Sequence, residues 1–477
     1  MAGVSYILSL LFGALSVAML PPAVTGVVNG SPAGEIFFIC AGLLGFVAGA
    51  MFFALQGRSR GLKRDNAVFA IVLAWFALPP IAALPIGLAG PLGAMDALFE
   101  ATSGLTTTGA TVFRSVNVLA PAVILWLAEL QWLGGLLTLI TFTAILSPLG
   151  FGGLSARGLA AIGRDRNGVS KTWNLIRGLV AVYTSGTLLC LAALFLAGVP
   201  AFDALALSLS TVSTGGFMPR DGTLDVYQLP VANAVVFLFM LVGATSVVWH
   251  RYILDVRRDD PAGHLESYWV LAIVGVVAVA YFLTMPAGDR SLPDAVARAA
   301  FTAASIVSTT GYETGQGALA AVPPPLTMFL LFVGGAALST AGGVKLYRAG
   351  VMMIQSGREL HRLVFPNSVQ GPGRWGFRPE DGMVKAVWAN LSIAMLAVIL
   401  AALLMALELP SVESSLFAAV SAFSNAGPFY ASAAPDAPAF YAFGNLSKAV
   451  MMFTMILGRL EVFVFVALLT MTSRVRF

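Results

Sequence analysis

The chain has 477 residues, of which 58% are hydrophobic and 10% charged, and its mean hydropathy is +0.87. Soluble domains carry roughly 25% charged residues, so a soluble fold is excluded and the chain reads as an integral membrane protein. Its net charge of +4 is unevenly spread. Two cysteines in apolar runs (Cys40, Cys190) and three scattered histidines (His250, His264, His361) give no basis for disulfide, thiol or metal-ligand chemistry.

Apolar runs near the ~20 residues that cross about 30 Å of hydrocarbon recur from the N-terminus. The first, from Val4 to about Val28, has neither a basic start nor a cleavage site, so it reads as a retained helix rather than a signal peptide. With a second run at about 35–56 it forms an N-terminal helix pair, 1–57. Four units follow, at 58–150, 151–258, 259–365 and 366–477, each an apolar span, a short amphipathic helix and a second span. The first unit places these at about 66–89, 94–111 and 120–147, and the second at about 174–198, 201–217 and 229–252. The third places them at about 266–285, 292–313 and from 323, with its second span interrupted; the fourth at about 383–408, 411–428 and 440–472.

The short helices lead into four related segments, 99–109, 205–215, 301–311 and 417–427. Each runs from a bulky residue (Phe99, Leu205, Phe301, Phe417) through small and hydroxyl side chains to a glycine (Gly109, Gly215, Gly311, Gly427). A helix of this length cannot span, so it enters and leaves the membrane from one face. Irregular backbone at membrane depth is tolerated only where it lines water or protein. Repeated four times, this predicts four loops around one pore. The fold expected is an all-α integral membrane protein with four pseudo-symmetric helix–pore-loop–helix repeats around one pore, plus two N-terminal transmembrane helices.

Two residues before each glycine stand Thr107, Ser213, Thr309 and Asn425; one before it stand Thr108, Thr214, Thr310 and Ala426. Backbone carbonyls supply uncharged oxygen ligands to a dehydrated monovalent cation. Aiming them at one axis needs torsions that glycine adopts freely. No ring of carboxylates lies in the segments, which disfavours a divalent-selective pore.

Five basic clusters, at 58–64, 157–177, 251–258, 345–385 and 474–476, hold 21 of the 27 Lys and Arg. The positive-inside rule puts all five, and both termini, in the cytoplasm, with the glycine segments on the outer side. The outer loops then carry four arginines against twelve Asp or Glu, a vestibule that concentrates cations.

Thr107-Thr108-Gly109-Ala110, Ser213-Thr214-Gly215-Gly216-Phe217, Ser308-Thr309-Thr310-Gly311-Tyr312 and Ser424-Asn425-Ala426-Gly427-Pro428 resemble the four filter segments of the Trk/Ktr/HKT superfamily of potassium translocators. The extra N-terminal pair is similar to the bacterial TrkH/TrkG branch. The resemblance spans the whole chain. It implies potassium uptake through one pore per chain, in a homodimer of the bacterial inner (plasma) membrane. Glycine in all four segments resembles the potassium-preferring members. Potassium is then substrate at the filter positions, with no further metal, no cofactor in this chain and no enzymatic activity.

The interruption in the third repeat falls at Gly334, Gly335, Ser339, Thr340, Gly342 and Gly343, followed by Lys345. A run so rich in glycine does not sustain a helix, and a loop at that depth lines the cavity. The resemblance makes it an intramembrane gate. Arg459 stands mid-span, where a charge is costly and faces a cavity or partner. The resemblance places it in the pore below the filter, with Glu461 on another helix face. Glu129 is a weaker candidate for a functional charge. The basic inner face suits anionic lipid, and the resemblance adds a cytosolic nucleotide-binding regulatory subunit docked there, with 345–385 contributing. A secondary transporter fits less well, because such proteins show two inverted repeats rather than four parallel ones. Channel-like flux and proton- or sodium-coupled transport (symport) both stay open, as does a less selective sodium/potassium pathway. No catalytic pair, nucleotide loop or nucleic-acid-binding feature is present.

Overall fold

The computed structural model describes residues 2–56, 64–142, 168–247, 249–250, 265–284, 291–367, 381–433 and 437–460. Arg374, Glu461, His264, the 251–258 and 474–476 clusters and most of 58–64 and 157–177 lie outside them, as does the first repeat's second span beyond Phe142. Among the described residues, every regular element is helical.

The N-terminal part comprises α1 (Ala2–Ala18), α2 (Leu20–Val28) and α3 (Ala33–Leu55). The first repeat has α4 (Arg64–Ala89), α5 (Ala94–Leu105) and α6 (Pro121–Ile140); the second has α7 (Gly168–Leu196), α8 (Ala201–Val212) and α9 (Pro230–Ala244). Next come α10 (Leu265–Thr284), α11 (Leu292–Val307), α12 (Pro324–Val333) and α13 (Leu346–Val364). The last part holds α14 (Asp381–Met405), α15 (Val412–Phe423), α16 (Pro428–Ala433) and α17 (Asn445–Leu460). Among the described residues, seven helices are long and apolar enough to cross a membrane, counting α1 and α2 as one.

Local chemistry sets the helix starts. Pro121, Pro230 and Pro324 open α6, α9 and α12, where a missing N–H costs nothing. Ser291 and Ser411 cap α11 and α15 through the backbone N–H of Asp294 and Ser414. The apolar windows of α4 and α6 are 61% and 67% buried, against 28–33% in the other five spans. The N-terminal pair causes this by covering the first repeat. Phe37 of α3 meets Trp126 edge-on at 5.8 Å, and Trp126 Nε1 donates to Ala82 O of α4 at 3.1 Å. Other spans keep an apolar outer face, with Leu196, Val276 and Leu403 exposed, as lipid contact requires.

One span differs from the sequence reading. The second repeat's second span was expected to run unbroken to about residue 252, but α9 ends at Ala244 and Thr245 is extended, with φ −90° and ψ 161°. The loop between α12 and α13 claims this backbone. Ala336 N–H donates to Ala244 O at 3.0 Å, Thr340 N–H to Gly243 O at 3.1 Å, and Val247 N–H to Leu338 O at 2.9 Å. Two spans are therefore interrupted, side by side.

Candidate functional site: four helix tips and the loop beneath them

α5, α8, α11 and α15 end in the same local structure. Two residues beyond each helix, Thr107, Thr214, Thr309 and Asn425 have φ of +51°, +54°, +58° and +51°. The next N–H, from Thr108, Gly215, Thr310 or Ala426, reaches back to the carbonyl of Ser103, Ser210, Ser305 or Ser421 at 2.8, 2.8, 3.1 and 2.9 Å. This is a Schellman-type closure, which normally uses glycine or asparagine at the left-handed position. That conformation costs an L-residue about 1–2 kcal/mol, and a β-branched threonine there is a genuine outlier. Three such threonines persist because their surroundings over-determine them, the pattern of strain held at a functional site.

The same four serines also brace the chain beyond each tip. Ser103, Ser305 and Ser421 Oγ donate to Ala110 O, Tyr312 O and Ala426 O at 2.6, 2.7 and 2.8 Å. Ser210 Oγ instead accepts from Phe217 N–H at 2.7 Å. Sequence analysis did not single these serines out, although each lies six residues before a glycine.

They also correct the register of the second segment. Thr214, Gly215 and Gly216 are the counterparts of Thr107, Thr108 and Gly109, one residue later than an alignment on Gly215 predicts. Ser213 takes the place of Thr106, the first residue after its helix. Two consecutive glycines make the glycine match ambiguous. Only Gly216 has the φ of +73° that matches Gly109 (+73°) and Gly311 (+87°).

The tips close on one another as a ring. A Cβ on Gly109 would fall on the Gly215 carbonyl oxygen of the second segment, and one on Gly216 on the Thr310 carbonyl oxygen of the third. Gly311 abuts Pro428 of the fourth, at 2.8 Å from a built Cβ, and Gly427 N–H donates to Thr108 O of the first at 2.6 Å. No side chain fits at these junctions without moving a neighbour's backbone or Pro428. The polar groups of the ring are uncharged, being backbone carbonyls and the hydroxyls of Thr107, Thr108, Thr309 and Thr310. Ala426 contributes backbone only.

Behind the first two tips, Gln131 Nε2 donates to Gly215 O at 3.1 Å. Glu100 accepts from Thr111 Oγ1 and Val112 N–H at 2.7 and 2.5 Å. Glycines of the second spans let these helices approach. A Cβ on Gly134 or Gly458 would strike the carbonyl of Leu105 or Phe423, the last residues of α5 and α15. Glu129, on α6, is half-buried, and its Oε2 has no partner among the described residues.

Gly334 (φ +69°) ends α12, and the chain stays non-helical through Gly343 (φ +80°) to Lys345 (φ +81°). Gly335 packs against Ala341 and the Ala244 carbonyl. Ser339 Oγ donates to Ala336 O at 2.6 Å, and Lys345 Nζ donates to the carbonyls of Ser339 and Ala341, within 5.6 Å of the Phe142 ring centre. The loop reaches all four tips. Gly342 N–H donates to Thr309 Oγ1 at 2.7 Å, and its Cα faces the Ser424 carbonyl so closely that a Cβ would collide. Thr340 Oγ1 donates to the Val212 and Gly243 carbonyls, at 3.1 and 3.0 Å. The link to the first tip runs through Arg459, a residue only 2% exposed. Its Nε donates to Thr106 O at 2.6 Å, Nη1 to Thr340 O at 2.7 Å, and Nη2 to Thr107 Oγ1. A planar fork of donors is suited to spanning three acceptors.

On α13, Arg362 is exposed beside Glu359 at 3.4 Å, with Arg358 half-buried and Leu360, Leu363, Val364 and Phe365 exposed.

Four short helices whose tips meet in a ring, inside a bundle of membrane-length helices, define a membrane transport protein built on pore loops. The chain belongs to the TrkH family of cation transport proteins, whose model matches residues 43–259 and 266–473. It is 31% identical over 481 residues to the Trk system potassium uptake protein TrkH of Vibrio parahaemolyticus, covering 98% of both chains. It is 30% identical over 482 residues to that of Halomonas elongata, covering 97% of both. The crystal structure of the potassium transporter TrkH from Vibrio parahaemolyticus matches the fold with a TM-score of 0.84 at 30% identity, over 98% of each chain.

Proposed function

We propose that this chain is a potassium uptake protein, forming a potassium-selective pore across the bacterial inner membrane. Both termini lie in the cytoplasm, and the chain works as a homodimer with a cytosolic nucleotide-binding subunit. The observation that carries the reading is the ring of four left-handed tips with one loop bonded to the second and third, packed against the fourth and tied to the first through Arg459. The filter is Thr107–Gly109, Thr214–Gly216, Thr309–Gly311 and Asn425–Gly427, with Ser213 one step below. Fixed carbonyls replace the hydration shell of a monovalent cation without a trapping charge. The gate is Gly334, Gly335, Ser339, Thr340, Gly342, Gly343 and Lys345, tied to the filter by Arg459. Arg459 also sets a fixed positive charge under the first tip, which raises the barrier to cations while the loop is in place. Opening breaks the loop's bonds to Thr309, Val212 and Arg459 together.

The test is ion flux in proteoliposomes under bi-ionic gradients. Gly109→Ser puts a side chain at a left-handed position against the Gly215 carbonyl, so sodium permeability rises relative to potassium. An unchanged ratio in well-folded protein sinks the filter assignment. For the partner, charge reversal at Arg358, Arg362 and Arg374 weakens co-purification with the nucleotide-binding subunit and blunts nucleotide-dependent flux. Intact binding leaves anionic lipid as the role of those three residues.

A further inference from the structure

Both ends of the loop are gripped by one side chain from outside it. Glu266 stands in the first turn of α10, and its Oε1 accepts from Ala337 N–H at 2.8 Å and from Tyr347 N–H at 2.9 Å. Ala337 is in the loop's first half, and Tyr347 is in the first turn of α13. Early helical N–H groups need an acceptor from outside the helix. Lys345, at the N-cap of α13, provides no side-chain cap, so Glu266 does so from another helix. The charges of Lys345 and Arg348, both buried, act on the same carboxylate. Next to it, Ser267 Oγ accepts from Ser246 N–H at 3.2 Å, in the broken stretch after α9 on which the loop rests. One helical turn thus holds the loop's entry, its exit and its support. None of these bonds involves the filter tips.

We infer that Glu266 is a latch, a positioning residue whose carboxylate holds the loop in its closed place through bonds independent of the filter tips. This rests on the reading of the loop as the gate. Two hydrogen bonds accepted by one oxygen favour the closed position, and a shift of the first turn of α10 releases both at once.

Basal potassium flux in proteoliposomes without a cytosolic subunit tests it. Glu266→Ala raises that flux by about tenfold or more, since the two hydrogen bonds lost are together worth at least roughly one power of ten in the closed-to-open ratio. Glu266→Gln keeps an acceptor oxygen and recovers most of the closure. Glu266→Asp keeps the charge beside Lys345 and Arg348 but falls short of one N–H, so it leaks to an intermediate degree even if the alanine variant does not fold. In protein lacking 334–343, Glu266→Ala adds nothing. If deleting 334–343 raises flux while the Ala and Asp variants stay as tight as wild type, the latch is overturned and the gate stands. If the deletion does not raise flux, the gate reading fails and the latch with it. A Gln variant as leaky as Ala assigns the effect to lost charge, which also overturns the latch.

Discussion

The filter tips and the loop beneath them are both buried, irregular and rich in small residues, yet they are held in opposite ways. Each tip carries its own closure. The Schellman bond and the serine Oγ bond join residues of the same segment, fewer than ten positions apart. The loop depends on distant elements instead. Thr340 bonds to Val212 and Gly243, Gly342 to Thr309, and Glu266 and Arg459 reach it from α10 and α17. Short-range closure makes four rigid, similar tips that keep their shape when neighbours move. Long-range bonds make a loop whose position depends on where other helices stand. The proposed filter needs the first property, and the proposed gate needs the second.

The sharpest way to break that comparison is to delete residues 334–343 and rejoin the half-helices. Self-held tips predict that basal flux rises by about tenfold or more while the potassium-to-sodium ratio stays near that of wild type. A selectivity lost along with closure means the tips need the loop, and the contrast fails. Arg459→Gln comes next. It removes most of the tie between loop and first tip, and a rise in basal flux of up to roughly tenfold is expected, on the scale of one lost charged hydrogen bond. Unitary or vesicle flux at saturating potassium reads this, with no change expected in the ion ratio.

Paired substitutions sharpen the register within the ring. A Cβ on Gly216 meets the Thr310 backbone, whereas a Cβ on Gly215 meets the movable end of Gln131. Gly216→Ala therefore degrades selectivity more than Gly215→Ala, and bi-ionic reversal potentials rank the two. Equal effects would restore the glycine-matched register. The smallest effect belongs to Ser421→Ala. It costs about 1 kcal/mol, a typical net hydrogen bond, seen as a lower thermal midpoint in detergent with basal flux unchanged.

A pH term sits outside this contrast. The nearby Ser447 hydroxyl and the Ser447 N–H, which donates to Glu408 Oε2 at 2.8 Å, hold the exposed Glu408 carboxyl below the usual carboxylate range, at the start of α17. A depressed folded pKa contributes stability above the unfolded pKa and loses it as pH falls through the folded one. Thermal stability is therefore flat from this source between pH 6 and 8, and Glu408→Gln removes only an acid-side dependence.

How much of the site is legible in the chain follows from the range of the forces involved. Four glycine-ended segments are visible because each tip solves the same local torsional problem with similar residues. The one-residue shift at Ser213–Gly216 is not visible from the glycines, since both Gly215 and Gly216 permit the turn and only packing against Thr310 selects the second. Gln131, Glu100 and Glu266 look like polar residues scattered in apolar helices. Their roles depend on backbone groups 84, 12 and 71 positions away, with no periodicity linking them. The break after Ala244 is equally silent. Gly243 and Thr245 are compatible with a continuing helix, and the loop's claim on that backbone decides the matter.

By itself the sequence determined the membrane class, the helical fold and the family, because hydropathy and helix-length constraints act within a span and the glycine segments repeat. Tertiary structure alone decided the filter register, the second broken span and the loop's attachment to every tip through Thr340, Gly342 and Arg459. Those outcomes are competitions between hydrogen-bond partners far apart in the chain, and only the packed helices bring the competitors together.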